Sequence, residues 1–329
     1  MNVLVLTDHR KHTVNNSLYT LVQAMCTLPQ VNSVRVASRG TLSNDNFFAC
    51  AKTDHLFAVE ADKYFAFDAQ GLGFGESRLV ITPLSWADGV VLRIPHPVPS
   101  NWFEYLEHSF GEVPVVNKPA GIATSTPKSW LLNVAELCAP MKMCNTHAEV
   151  LAFAKTCDTV LKPVEGYGGN GVLRILGGVV EVDDKHILLQ DWPKQPEALF
   201  PYLAMEYLPR VVEGDKRIVV VADRVLGAVL RIPAAGQWLC NVSQGGRAEL
   251  TTLTASEDRI VATLRPHMKQ LGVVMYGIDT LMGNEGYRVL SEVNTMSIGG
   301  LLDMPPTDGK TAAEWAAVGL VDYLISKSS

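Results

Sequence analysis

The chain lacks the residue patterns that mark a metal knot, a membrane span or a nucleic-acid face. Its six cysteines, Cys26, Cys50, Cys138, Cys144, Cys157 and Cys240, form no C-x-x-C pair and no ligand spacing. That excludes a zinc framework and predicts reduced, mostly buried thiols. There is no basic block and the formal net charge is −6, so nucleic acid and anionic membranes are not expected partners. No apolar run is long enough to cross a bilayer. The opening Met1-Asn2-Val3-Leu4-Val5-Leu6-Thr7-Asp8 has no basic n-region or cleavage pattern, and is expected to enter the fold directly as a strand. A cytoplasmic location is the default expectation. Internal repeats and low-complexity segments are also missing.

What is present reads as a globular chain. Of 329 residues, 47% are hydrophobic and 19% charged, enough for two or three packed domains. Strand-like runs alternate with helical spacing, which predicts α/β layers. Leu18, Leu21, Val22, Met25 and Leu28 recur as one helix face. Strands are expected over Val31–Ala37, Gly89–Arg93, Val113–Asn117 and Thr159–Pro163, with a helix from Lys128 to Cys138. Residues 40–85 are irregular, with Gly71-Leu72-Gly73-Phe74-Gly75 read as a loop. Thr146-His147-Ala148-Glu149 is a capping box. Arg217–Val221 and Val225–Arg231 form a predicted hairpin. A helix through Ile260, Leu264 and Met268 stops at Gly272, strands follow near Val273–Ile278 and Tyr287–Val293, and an amphipathic helix carries Trp315, Leu320 and Leu324.

Three features carry chemistry. The first is Gly166-Tyr167-Gly168-Gly169-Asn170-Gly171, which lies between two predicted strands. It is neither a P-loop nor a dinucleotide fingerprint, yet such a loop can lay N–H groups over phosphates and close as a lid. An ordinary turn is the plainer reading. The second is Lys162 in the apolar Val160-Leu161-Lys162-Pro163: a buried ammonium needs a partner, which a nucleotide phosphate supplies, unless the lysine lies on a surface edge. The third is Asp279 with Glu292 and Asn294. Positions two apart on a strand share a face, so Glu292 and Asn294 project together, and Asp279 joins them if the strands are neighbours. Two carboxylates and an amide oxygen suit Mg²⁺ held against phosphates; a solvated edge face is the alternative.

From Asp88 to Ser297 the chain resembles the bacterial glutathione synthetases of the ATP-grasp superfamily. The matching segments come in the family's order: Asp88–Arg93, Val116-Asn117-Lys118-Pro119, Lys128, Leu161–Gly169, Tyr207-Leu208-Pro209, Gly214–Arg217, Leu230–Pro233, Asn241, Gly245-Gly246-Arg247, Gly277–Asp279 and Glu292–Asn294. The resemblance implies an N-terminal doubly wound α/β (pre-ATP-grasp) domain at 1–121, a small lid domain at 122–204, and a nucleotide and metal domain at 205–329. It implies that Lys128 and Lys162 hold ATP phosphates beneath Gly168, Gly169 and Gly171, that Glu206, Tyr207 and Leu208 form the adenine hinge, and that Asp215 reaches the ribose. Arg217 and Arg231 would neutralise phosphate charge with Asn241 beside them. Asp279, Glu292 and Asn294 would bind two Mg²⁺ ions, with Mn²⁺ as a substitute, and Arg93 and Ser297 would contact the peptide substrate. The implied activity is an ADP-forming ligase joining a small-molecule carboxylate to an amine, with γ-glutamylcysteine and glycine as the leading pair. Homo-oligomerisation is common in the family.

Three segments depart from the family's pattern. Leu239 replaces an arginine, and losing a cation against a carboxylate removes about 1.5–3 kcal/mol. Ile94-Pro95-His96-Pro97 replaces Lys-Asp-Pro-Pro, and Met296-Ser297 follows Thr295 in place of Ser-Pro. All three lie where substrates, not ATP, would sit. Ligases for another amino acid, a dipeptide or a protein terminus therefore stay open, as does a synapsin-like ATP-binding regulatory protein. Trp238 is read as a substrate wall or a packing residue, and His96 as an exposed histidine between prolines or a substrate contact.

Overall fold

The computed structural model describes residues 1–165, 170–182, 185–192, 200–234, 237–238 and 247–328. The first sheet starts with β1 (Asn2–Thr7), which lies parallel to β2 (Ser33–Ser38) and to β5 (Gly89–Arg93). Val3 and Val5 join one buried cluster with Leu21, Val22 and Met25 of helix α1 (Leu18–Cys26). Leu4 and Leu6 join another with Trp102 and Leu106 of α3 (Trp102–Phe110), so both faces of the strand are covered. The stretch 40–85, irregular in sequence, supplies a short helix α2 (Asp45–Phe48) and two antiparallel strands, β3 (His55–Ala61) and β4 (Leu79–Pro83). They extend the sheet to the order β4-β3-β2-β1-β5-β6, with β6 at Val115–Val116. Gly71 takes φ 73° before a 3-10 turn at Leu72–Phe74.

The second sheet has the order β11-β10-β9-β8-β12-β7 and its pairs are antiparallel: β7 (Met141–Cys144), β8 (Thr159–Pro163), β9 (Leu173–Leu176), β10 (Val179–Val182), β11 (Lys185–Leu188) and β12 (Tyr202–Glu206). Helix α5 (His147–Ala154) packs beside it, capped by the Thr146–Glu149 box. The third sheet, β15-β14-β13-β16-β17, is antiparallel too: β13 (Asp215–Val221), β14 (Arg224–Ile232), β15 (Arg247–Thr251), β16 (Met275–Met282) and β17 (Arg288–Asn294). Helix α6 (Ala255–Leu271) covers one face and ends at Gly272 in the left-handed region. The helix expected at Lys128–Cys138 is instead a 3-10 stretch, Lys128–Leu137, broken at Val134 by φ −137°. Five thiols are free, as expected, but only Cys144 is buried; the other four are half-buried, and Cys240 lies outside the described residues.

Two joints fix the first sheet to the third. The Asn117 side chain, just after β6, accepts from the N–H groups of Val274 and Met275 (both 2.8 Å) and donates to the carbonyls of Met275 (2.6 Å) and Thr295 (2.7 Å). All four bonding positions of the amide are used. Nearby, Gly121 of α4 (Pro119–Ser125) faces the end of α6 so closely that a Cβ would lie 2.0 Å from the Leu271 carbonyl oxygen. Gly121→Ala is therefore expected to cost about 1–3 kcal/mol as overpacking. A thermal melt checks this, and an unchanged Tm would mean that α4 and α6 separate freely. The last helix, α7 (Ala312–Ser328), buries Leu320, Val321 and Leu324 in the cluster that holds α1, so the end of the chain packs on its beginning.

Candidate active site

A cavity of ≈ 240 Å³ opens between the second and third sheets. Four cations (Lys128, Lys162, Arg217, Arg231) and four carboxylates (Glu206, Asp215, Asp279, Glu292) line it, together with Tyr207, Leu208 and Asn294. Register brings the acidic groups together. Across β16 and β17, Asp279 stands opposite Glu292 and Gly277 opposite Asn294. The Asn294 amide donates to Asp279 Oδ2 at 3.1 Å. These strands are neighbours and their polar side chains line the cavity, with β17 itself the edge strand of the third sheet.

Lys162 lies on β8, an interior strand between β9 and β12. This rules out the surface-edge alternative. Its ammonium donates to the carbonyl and hydroxyl of Ser291, both at 3.1 Å. Burial pulls its pKa down, and so does nearby Lys128, while Glu292 resists. Lys128, 9% exposed, is likewise lowered by burial against the pull of Glu292. Two neighbouring ammoniums under desolvation gain most from an anion placed between them.

The arginines are committed to carboxylates. Arg217 stands opposite Asp279 across β13 and β16 and binds it through Nε and Nη2, the latter at 2.8 Å. Arg231 stands opposite Asp215 across β13 and β14, bonds it at 2.7 and 2.6 Å, and reaches Asp279 at 3.1 Å. Burial alone would raise the Asp279 pKa, but the two guanidiniums outweigh it and hold the group well below the ordinary aspartate value.

At the expected hinge, the Glu206 N–H donates to Pro140 and the Tyr207 N–H to Asp158, both at 2.8 Å. The Leu208 carbonyl accepts from Val211 at 3.0 Å. Trp238 belongs to the cavity wall. Arg174 of β9 lies 5.1 Å from its ring and 5.4 Å from that of Tyr207, and donates to the Tyr207 hydroxyl at 3.1 Å and to Glu181 at 2.8 and 2.5 Å. Arg174 and Ser291 escaped sequence reasoning: Ser291 meets Lys162 only where the third sheet packs on the second, and Arg174 meets Tyr207 only through side chains 33 residues apart. Gly171 adopts φ 70°, whereas Gly168, Gly169, Leu239 and Asn241 lie outside the described residues.

Arg93 and Ser297 meet each other but not this cavity. Arg93, 5% exposed, donates to the Ile298 carbonyl at 2.7 Å and to the Ser17 hydroxyl at 3.2 Å. Ser297, at φ 51°, reaches the Arg93 carbonyl at 3.5 Å. His96 is half-buried, not exposed: burial, with Arg39 and Lys128 nearby, brings its pKa down to about 4. Among the described residues no group of three or more His, Cys, Asp or Glu side chains could hold a metal. The set here is two carboxylates and an amide, hard oxygen donors that fit Mg²⁺ or Mn²⁺ once phosphate oxygens complete the shell.

Three sheets with this cavity between the second and third define an ATP-grasp fold. D-cycloserine synthetase DcsG superposes with a TM-score of 0.63 at 14% identity, covering 97% of this chain and 100% of its own. Residues 128–308 match the family described as prokaryotic glutathione synthetase, ATP-grasp domain, and the chain belongs to that family. The glutathione synthetase of Prochlorococcus marinus subsp. pastoris is 32% identical over 213 residues, 64% of this chain and 66% of that protein. That of Mesorhizobium japonicum is 32% identical over 259 residues, 76% and 79% of the two chains. The chain thus spans slightly under two thirds of the Prochlorococcus protein's length.

Proposed function

We propose that the chain is an ADP-forming carboxylate–amine ligase that uses ATP with two Mg²⁺ ions, Mn²⁺ serving as a substitute, and that γ-glutamylcysteine and glycine are its substrates. The observation that carries this is the convergence of Lys128, Lys162, Asp279, Glu292 and Asn294 on one cavity. Its four cations and four carboxylates balance, and fully ionised ATP with two divalent ions is also a neutral load. The domain bounds proposed are 1–121, 122–204 and 205–329.

Lys128 and Lys162 hold the phosphates, Lys162 exchanging its Ser291 contacts for phosphoryl oxygens. The Glu206 carbonyl and the Leu208 N–H take the adenine edge, since the Glu206 and Tyr207 amides are engaged elsewhere; Asp215 faces the ribose. Asp279, Glu292 and Asn294 hold the metal ions, which supply charge neutralisation along the phosphates. As they do, Asp279 releases Arg217 and Arg231 to the transferring phosphoryl group. A substrate carboxylate oxygen attacks the γ-phosphorus and ADP leaves. The amine then attacks the acyl carbon and gives up a proton, inorganic phosphate departs, and the amide remains. Positioning and fixed charge provide the catalysis.

The near alternative, another acid and amine pair on the same machinery, is favoured by one observation. Both Arg93 η-nitrogens are already bonded, to Ile298 and Ser17. Measuring ADP release with each pair separates the two. Release with γ-glutamylcysteine and glycine, dependent on both, is the expected result. No release with that pair but release with another would reassign the substrates and keep the ligase.

A further inference from the structure

Two aromatic rings, Tyr207 and Trp238, belong to the wall of the nucleotide cavity and stand edge to face with centroids 6.3 Å apart. They come from different sheets: Tyr207 directly follows β12, whereas Trp238 follows β14. Trp238 belongs to no strand or helix, so side-chain contacts, not a backbone ladder, must place its ring. Arg174 of β9 supplies such a contact. Its Nη1 donates to the Tyr207 hydroxyl at 3.1 Å, and its Cζ lies 5.4 Å from the Tyr207 centroid and 5.1 Å from the Trp238 centroid. Both distances fall within the range of about 6 Å over which a cation is drawn to an aromatic face.

Glu181 keeps the guanidinium in that place. It stands opposite Arg174 in the register of β9 and β10, and its Oε2 accepts from Nε at 2.8 Å and from Nη2 at 2.5 Å. Every guanidinium nitrogen is thus bonded, and the planar group lies between the two rings. Arg217 differs, because its partner Asp279 lines the cavity, where a divalent ion would claim it. Glu181 does not line the cavity, so a bound nucleotide with its metal ions leaves the Arg174 pair intact. Tyr207 also marks which end of the cavity this is, since it lies between Glu206 and Leu208 at the hinge for the base.

We propose that Arg174 is a positioning residue for nucleotide binding: it holds the Trp238 indole against Tyr207, and the indole so placed is a surface on which the base end of the nucleotide rests. The inference rests on the nucleotide reading of the cavity given above.

Calorimetric titration of the full chain with AMP-PNP and Mg²⁺ tests this in the parent, Arg174→Met, Trp238→Leu and the double variant. Each single variant is expected to bind about fivefold more weakly, the scale of one cation–π contact. Because Arg174 acts through Trp238, the double variant should bind no more weakly than Trp238→Leu alone. An Arg174 with a merely structural role would add its own loss, for about 25-fold in the double variant. That additive result overturns the proposal, and so does either single variant binding as tightly as the parent. A parent that binds no AMP-PNP removes the nucleotide reading and this inference together, whereas the other two results remove this inference alone. Should Arg174→Met fail to fold, Arg174→Lys decides by the same comparison. Its ammonium can keep Glu181 but cannot also span Tyr207 and Trp238.

Discussion

Replacing Glu292 by Gln is expected to lower ATP turnover about 100- to 1000-fold, the cost of removing one fixed charge from a site where charge develops. Glu292 is the carboxylate whose pull on Lys128 and Lys162 opposes their desolvation, and it stands opposite Asp279 in the strand register. The amide keeps shape and volume, so circular dichroism and Tm should match the parent's. Steady-state ADP release checks the prediction, and an undiminished rate would sink the metal assignment. Asp279→Asn is a poorer test. It also unties Arg217 and Arg231, and two effects would arrive together.

The second large effect is structural. Lys216→Met is expected to destabilise the fold by about 3 kcal/mol, the low end for stranding one member of a buried ion pair. The Lys216 ammonium, on a residue only 3% exposed, bonds Glu257 at 2.6 Å and the Thr252 carbonyl at 2.8 Å. Glu257 is wholly buried yet keeps Thr280 at 2.7 Å and Arg288 at 3.8 Å, which is why the low end applies. Burial would raise the Glu257 pKa, but Lys216, Thr280 and Thr254 together bring it below the ordinary 4.5. A lowered folded pKa contributes stability above the unfolded value that fades as pH falls through the folded one. The deficit of Lys216→Met should accordingly be full near pH 7 and shrink below about pH 4.5. Denaturant melts at both pH values measure it. A deficit independent of pH would place the cost in packing instead, and Glu257→Gln added to Lys216→Met should recover part of it.

The sequence made the cavity-lining side chains legible far better than their partners. Glu292 and Asn294 reveal a shared face through their spacing of two, and Lys162 stands out in an apolar strand, because both signals are local. The bond from Lys162 to Ser291 spans 129 residues and the Asn117 bonds to Val274 and Met275 span 157 and 158. No local pattern encodes those distances. In the first sheet, β3 reads His55-Leu56-Phe57-Ala58-Val59-Glu60-Ala61 without clean alternation, and β4 is an edge strand with Ile81 62% exposed, so 55–83 gave no period to find. The stretch 128–137 has helical spacing, but Val134 leaves helical geometry to reach the core beside Leu203 and Leu290. His96 looks exposed between prolines, and only tertiary packing buries it.

A side chain with every polar atom bonded has no second rotamer to visit. Asn117 is in that position, held by Val274, Met275 and Thr295. It behaves as a rivet, not a hinge. Val274 and Met275 sit at the entry to β16 and Thr295 directly follows β17, the two strands that carry Asp279 and Asn294. A displacement of β6 thus pulls directly on the strands that carry Asp279 and Asn294.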